Sequence, residues 1–442
     1  MFEFAFHLGI FIECTNGTLV SDILDNYPPL PLFVNYEKRD VYPRHPILTM
    51  QDELGIYRTL RLRDRIRDIF LDLPSSILHK ALVLMDGHFP MLERLFLSFT
   101  AENDNIPLTL PETFLAPNLR SLTFPDIGPQ RLFRFLTTTT SIATLKLSNI
   151  QTCFIHPRLL VAHLQSLPQL EKLSIVFSPP TAILHPATEE LLCEEETPVL
   201  LPKLKAFCFE GVNTYLECLV SQFSTPLLER LYIKLFSQIA LLQPRLSHLI
   251  NTTKAFKLLR LGVTVNFSPY EVSVYTDLRG VRMFLICVRD MPLNWRVDWA
   301  AQICNALAPT LSSVENLTLC VFTNTFGPPW QPSGIPSTVS TTWQALLRSF
   351  IRVKELRIDH ELAWELSQAL QASGVSDPGF LPDLQSIVSE TNMFTSFIDV
   401  RQIMARPVRF SIFSWPPRGW EQPLWWRALP GNPLSGTFLS LP

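Results

Sequence analysis

An α/β solenoid, in which short helix–strand units stack on copies of themselves, is the fold this sequence predicts, and three observations predict it. The first is a recurring phrase of leucine, two residues, leucine, one residue and a further apolar residue. It occurs at Leu92/Leu95/Leu97, Leu119/Leu122/Phe124, Ile142/Leu145/Leu147, Leu170/Leu173/Ile175, Leu204/Phe207/Phe209 and Leu228/Leu231/Ile233. It continues at Leu258/Leu261/Val263, Val314/Leu317/Leu319 and Val353/Leu356/Ile358. From Leu92 to Leu258 the successive starts are 27, 23, 28, 34, 24 and 30 residues apart. The second is a change of period between phrases, from the alternation of a strand with one buried face to the i, i+3, i+4 spacing of an amphipathic helix. The third is a proline just before many phrases (Pro90, Pro117, Pro168, Pro202, Pro226), where it stops a helix and forces an extended approach to a strand.

Residues 1–50 are expected to form an N-terminal cap region, with a helix in "TLVSDILDNYP" followed by a strand in "LPLFVNYEK". Residues 51–405 are expected to form the solenoid, with a weaker phrase at Tyr57/Leu60/Leu62 at its start and another at Leu384/Ile387 near its end. The segments "PQRLFRFLTTT", "RLLVAHLQSL", "TYLECLVSQF", "AQICNALAPTL" and "TTWQALLRSF" carry the helical spacing. Leu258 and Val314 are 56 residues apart, about two repeats, and the apolar run "VRMFLICV" from Val281 predicts a hidden repeat between them. One strand and one helix of this size cannot bury their apolar faces alone, so the units must stack. At a step of about 20–29 residues, units built on this phrase are leucine-rich repeats, with a curved parallel sheet on the concave side and helices on the convex side. The uneven lengths, and the lack of a regular asparagine after the phrase, mark an irregular version; only "LKLSNI", with Asn149, comes close to the usual form. A doubly wound sheet or a closed barrel also alternates strands with helices, but neither requires such self-similarity. Residues 406–442 read as a Trp/Pro-rich cap or tail: "SWPPRGWEQPLWWRAL" holds Trp415, Trp420, Trp425 and Trp426, which suit either the apolar edge of a last repeat or a partner-binding patch.

The composition narrows the function. Lys+Arg number 37 against Asp+Glu 40, a net charge of -3, so the chain has no basic surplus for a phosphate backbone and a nucleic-acid partner is not expected. Glycine numbers 15 and proline 37, which disfavours phosphate-cradling glycine loops. The eight cysteines include no CxxC pair and are expected to be reduced and structural. No window approaches the roughly 20 uncharged apolar residues of a membrane span. The opening "MFEFAFHLGIFIEC" lacks a basic n-region, so a cytoplasmic or nuclear location without a membrane partner is expected. Walker, Rossmann, nucleophile-elbow and H-E-x-x-H motifs are all missing, and no cofactor, metal or catalytic residue is assigned. His360, between Asp359 and Glu361, reads as a charged cluster on a solvated face. The acidic run from Glu189 to Glu196 reads as a solvated insertion.

Residues alternating with the buried leucines should point from the concave face. They are Arg94, Phe96, Lys146, Lys172, Arg230, Tyr232, Lys234, Arg260, Glu355, Arg357 and Asp359, with Thr144 and Ser174 among them. Exposed arginine and tyrosine are frequent interface anchors, so this strip is the candidate site for a protein partner.

The phrases "FPMLERLFLSF", "APNLRSLTF", "LPQLEKLSIVF" and "TPLLERLYI", together with "LPLFVNYEK" and the helical "HLINTTKAFKLLRL", give most of the chain a likeness. It resembles fungal F-box proteins with divergent leucine-rich repeats. The resemblance implies a non-enzymatic protein-interaction module, the substrate-recognition part of an F-box subunit of a cullin-type ubiquitin ligase. It implies a Skp-type adaptor as a second partner where an F-box lies upstream. Nothing from Met1 to Leu60 reads as an F-box, and "TLPETFLAPNL" at Thr109, which has its letters, lies between repeats. The chain is therefore expected to be the downstream part of such a protein, residues 1–50 being a remnant linker. A stand-alone repeat scaffold with no ubiquitin role, and an α/β enzyme of unknown class, are the alternatives.

Overall fold

The computed structural model describes residues 12–15, 17, 20, 22, 29–37, 48–100, 110–125, 129–150, 155–177, 197–236, 244–253, 262–268, 271–278, 281–289, 296–321, 336–376 and 380–412. The chain divides into two compact units, Met1–Lys205 with Gln222–Thr225, and Ala206–Ser221 with Pro226–Pro442.

The first unit is built on the strands β1 (Ile12–Cys14), β2 (Leu32–Glu37), β3 (Ile66–Pro74), β4 (Arg94–Thr100), β5 (Ser121–Pro125), β6 (Thr144–Ile150) and β7 (Lys172–Phe177). Each pairs in parallel with the next in sequence. Parallel neighbours need a crossover, which helices α1 (Met50–Leu60), α2 (Ser75–Leu84), α3 (Pro129–Thr138) and α4 (Pro157–Leu164) contribute. The phrase determines the register. Ile69, Leu95, Leu122, Leu145 and Leu173 stand side by side, as do Leu71 with Leu97 and Phe124 with Leu147 and Ile175. All of them are buried. On this apolar face α1 packs against β1 and β2, and α2 against β3 and β4. A short parallel pair, β8 (Val199–Leu200) with β10 (Phe223–Ser224), completes the unit.

The prolines and charged residues of the phrase have local roles that periodicity does not reveal. Pro90, Pro117, Pro168 and Pro202 each take the second position of a turn. In these turns the first phrase residue (Leu92, Leu119, Leu170, Leu204) donates its N–H to the carbonyl three residues earlier, at 3.1–3.4 Å. The residue after that leucine joins one repeat to the next. The Glu93 carbonyl accepts from the N–H groups of Arg120 and Ser121, that of Arg120 from Ala143 and Thr144, and that of Ala143 from Glu171 and Lys172. The same positions form ion pairs along the stack, Arg67 with Glu93 at 3.1 Å and Glu171 with Lys205 at 3.3 Å.

The second unit has the strands β9 (Ala206–Gly211), β11 (Arg230–Leu235), β12 (Val263–Phe267), β13 (Glu271–Leu278), β14 (Val281–Arg289), β15 (Asn316–Val321), β16 (Glu355–Ile358), β17 (Ser386–Ser389) and β18 (Arg409–Ile412). Their spatial order is β9-β11-β14-β13-β12-β15-β16-β17-β18. The helices are α5 (Asn213–Val220), α6 (Pro244–Thr252), α7 (Arg296–Ala306), α8 (Ala308–Leu311), α9 (Pro336–Leu347), α10 (His360–Ser376) and α11 (Thr395–Ile403). Every described pairing is parallel except those of β13, which runs antiparallel to both β12 and β14. On one side of the meander Phe207, Leu231 and Phe284 stand side by side, and on the other Val263, Leu317, Leu356 and Ile387 do. The ion pairs recur too, with Lys354 3.0 Å from Glu315.

Four expectations are corrected. The run at Val281 is not one hidden helix–strand repeat but the last strand of a meander, β12–β13–β14, in which strand order reverses. The phrase read at Leu258 is out of register: Val263 pairs with Leu317, so it holds the middle leucine's place, while Leu258 and Leu261 lie outside the described residues. Tyr57 and Leu60 belong to α1, and the rung there is Ile66/Ile69/Leu71 in β3, whose apolar pair stands against Leu95 and Leu97. Of the cysteines, Cys14, Cys208, Cys304 and Cys320 carry thiols without a disulfide, the first three buried, and burial raises the thiol pKa of Cys14 and Cys304. Cys218 is disulfide-bonded, contrary to the reduced state expected.

Candidate functional site

Side chains alternate along a strand, so the residues between the buried leucines define an open face on each sheet. In the first unit the register aligns them in two rows. One runs Glu13, Phe33, Asp68, Arg94, Ser121, Thr144, Lys172; the other runs Asn35, Phe70, Phe96, Thr123, Lys146, Ser174. Arg94 is clamped by Asp68 on the neighbouring strand through two parallel bonds, Nε to Oδ1 at 2.6 Å and Nη2 to Oδ2 at 2.7 Å. This bidentate pairing raises the guanidinium pKa and fixes the arginine's direction. The Arg94 Cζ lies 5.9 Å from the centre of the Phe33 ring. Beside it the Phe70 and Phe96 rings stack, centroids 3.9 Å apart and 3° from parallel, and both remain half-buried. At the β1 edge Asn35 Nδ2 donates to Glu13 Oε1 at 3.0 Å.

Arg94 and Lys172 are thus exposed on this face, Phe96 and Lys146 are half-buried in it, and Ser174 is buried. Asp68 and Phe70 belong to the same surface but were missed, because the rung at β3 was misplaced onto α1; the alternation in "IRDIFLDL" is the signal that could have found them. Phe33 and Asn35 of β2 share the surface too, and the alternation in "LFVNYE" is their signal.

In the second unit Arg230 is exposed and Tyr232 half-buried on β11. Lys234 is buried on the same strand, its Nζ 3.6 Å from Glu210 on β9. Glu355 and Arg357 pair along β16 at 2.6 Å. Asp359 leaves the strip: it lies beyond β16, is buried, accepts N–H bonds from Glu361 at 3.2 Å and Val321 at 3.4 Å, and so holds the start of α10 against β15. Arg260 lies outside the described residues. His360 is exposed and clustered with carboxylates, its Nδ1 2.9 Å from Asp359 and 3.1 Å from Glu390. Among the described residues, no group of His, Cys, Asp or Glu is arranged to hold a metal ion, and no helix is long and apolar enough to cross a membrane.

The arrangement can bind and orient. It offers a planar aromatic platform, a rigidly held arginine and rows of hydroxyls, and the backbone of each strand inside the sheet is already committed to its neighbours.

No protein-family model matches the chain, and no curated protein matches it. Among solved structures the chain is similar to a leucine-rich repeat-containing protein from Legionella pneumophila, with 13% sequence identity and a TM-score of 0.23, over 66% of this chain and 92% of that one.

Proposed function

We propose that this chain is a non-enzymatic protein-interaction module, an irregular leucine-rich-repeat solenoid whose open sheet faces take a protein partner. The observation that carries this reading is the Phe70–Phe96 stack, an aromatic pair left half-exposed beside the clamped Arg94 in rows whose other members, Phe33 apart, are polar. A pre-ordered aromatic pair with a rigid arginine is the composition of interface hot spots, since it offers large contact area at low entropic cost. On the second unit, Arg230 and Tyr232 play the corresponding part. The module acts in the cytoplasm or nucleus, with neither nucleic acid nor membrane as its partner.

Affinity purification from a native extract tests the reading. The full chain is expected to retain a reproducible set of proteins that Phe96→Ala, or Arg230→Glu with Tyr232→Ala, releases while the thermal melt stays within a few degrees. An unchanged profile for both variants rejects it. The finer assignment, substrate recognition within a cullin-type ubiquitin ligase, rests on the phrase resemblance alone. Co-purification of the Skp-type adaptor with the product of the complete gene supports it, and its repeated absence leaves the stand-alone scaffold.

A further inference from the structure

The Phe70–Phe96 stack is closed at one end and open at the other. Parallel rings with centroids 3.9 Å apart must overlap face to face, so both stand upright on adjacent strands with their faces turned along the row. That row continues past Phe70 to Asn35 on β2 and past Phe96 to Thr123 on β5. Asn35 fills its place and is held there by its 3.0 Å bond to Glu13. Thr123 is short and half-buried, and the next long side chain in the row is Lys146 on β6. Strands lie about 4.8 Å apart, so β4 and β6 are separated by about 10 Å. A flat ring needs about 3.5 Å to the face it covers and as much to the far wall, about 7 Å in all. The space above Thr123 is therefore one ring wide.

We infer that this slot takes the side chain of a tyrosine or tryptophan from the protein partner, stacked on the outer face of Phe96 as the third ring of the series. The inference rests on the reading above and adds the residue class at the centre of the contact. An aromatic face gains from a second flat ring a stacking contribution that leucine, with no flat face, does not provide. Arginine is flat but charged, and the neighbouring carboxylate in this part of the face, Asp68, already accepts from two nitrogens of Arg94. The floor of the slot is Thr123, with Ser121 and Thr144 in the row beside it, and their hydroxyls suit the O–H or N–H at the edge of a tyrosine or tryptophan ring. Recognition falls to the side chain, because β4, β5 and β6 have both ladders filled and leave no place for an added strand.

The test reads the slot directly. The full chain, with isotope-labelled threonine methyls, is titrated with N-acetyl-tryptophanamide, N-acetyl-leucinamide and N-acetyl-argininamide, and the Thr123 methyl, assigned by its loss in Thr123→Ser, is followed by NMR. The tryptophan amide is expected to move that resonance saturably, with a dissociation constant of about 1–10 mM for one isolated anchor. The leucine and arginine amides are expected to move it at least about fivefold less at equal concentration. Phe96→Ala is expected to abolish the shift while the other threonine methyls keep their positions, and Phe96→Leu, which keeps the bulk and loses the flat face, is expected to do the same. Thr123→Phe fills the slot from within and is expected to release, in the purification above, the proteins that Phe96→Ala releases. Equal shifts with the three amides, a larger shift with the arginine amide, no saturable shift, or a shift that survives Phe96→Leu overturns the inference. If the purification still captures partners that Phe96→Ala releases, the interaction reading stands and only the slot falls; a purification that captures none removes both.

Discussion

Ala405 has a φ of 56°, in the left-handed region that side chains disfavour. It follows α11 at the position where a helix ends in a Schellman turn: Arg406 N–H donates to the Arg401 carbonyl at 2.9 Å and Ala405 N–H to that of Gln402 at 3.1 Å. Glycine occupies such a position without the Cβ penalty, so Ala405→Gly is expected to stabilise the protein by about 0.5–1 kcal/mol, read from the denaturant midpoint at constant m-value. Asp52, in the first turn of α1, is buried and completes a capping box with Thr49; it also accepts the Gly17 N–H at 2.6 Å. Burial alone would raise its carboxyl pKa, but the bonds from the Thr49 hydroxyl and from the Gly17 and Thr49 N–H groups outweigh burial and hold it below the ordinary value. A folded-state pKa lower than the unfolded one stabilises above pH of about 4, and the contribution is lost as pH falls below that. The stability gap between wild type and Asp52→Asn should therefore narrow between pH 6 and pH 3 in urea melts; a gap independent of pH contradicts the assignment. The carboxylate was legible as a helix-start residue, whereas its bond to Gly17, across 35 positions, was not.

A strand in this protein is two surfaces with unequal stakes. Leu122 on β5 is fully buried between Leu95 and Leu145, while Thr123 beside it is half-exposed on the open face. Leu122→Ala is expected to cost about 2–5 kcal/mol through lost burial and a residual cavity. Thr123→Ala should stay within about 0.5 kcal/mol, as a surface change away from special contacts does. Equal costs would mean that the alternation is misassigned. That alternation was readable because it is a local pattern with a period of two, and the phrases from Leu92 to Ile233 were placed with the right register for this reason. The rung at β3 escaped because apolar residues at the end of α1 imitate the phrase, and a short apolar run does not declare its own period. The meander escaped for a different cause. Strand direction is set by which neighbour's backbone a strand meets, and "VRMFLICV" satisfies a parallel and an antiparallel partner equally well; β14 meets one of each, β11 and β13.

Each unit of the molecule builds its sheet by adding rungs, and a sheet so built ends in an edge. Among the described residues that edge in the second unit is β18, where Ile412 is 71% exposed and, close by in sequence, Ile403 is 85% exposed. The Trp-rich stretch assigned to a cap or tail follows directly and lies outside the described residues. Deleting everything after Ile412 is expected to lower solubility and shift the protein toward large species in size-exclusion chromatography; a truncated chain as soluble and as stable as the whole contradicts a capping role. By itself the sequence determined that this protein is a series of helix–strand units with leucines on one face of parallel rungs, because periodicity, turn prolines and the need to bury apolar surface all act within one repeat and its neighbour. Tertiary structure alone decided where strand order reverses, which aspartate clamps Arg94 and which ring stacks on Phe96. Those contacts join residues 26 positions apart, and a pattern read along one strand holds no information about the partner that long-range pairing brings to its side.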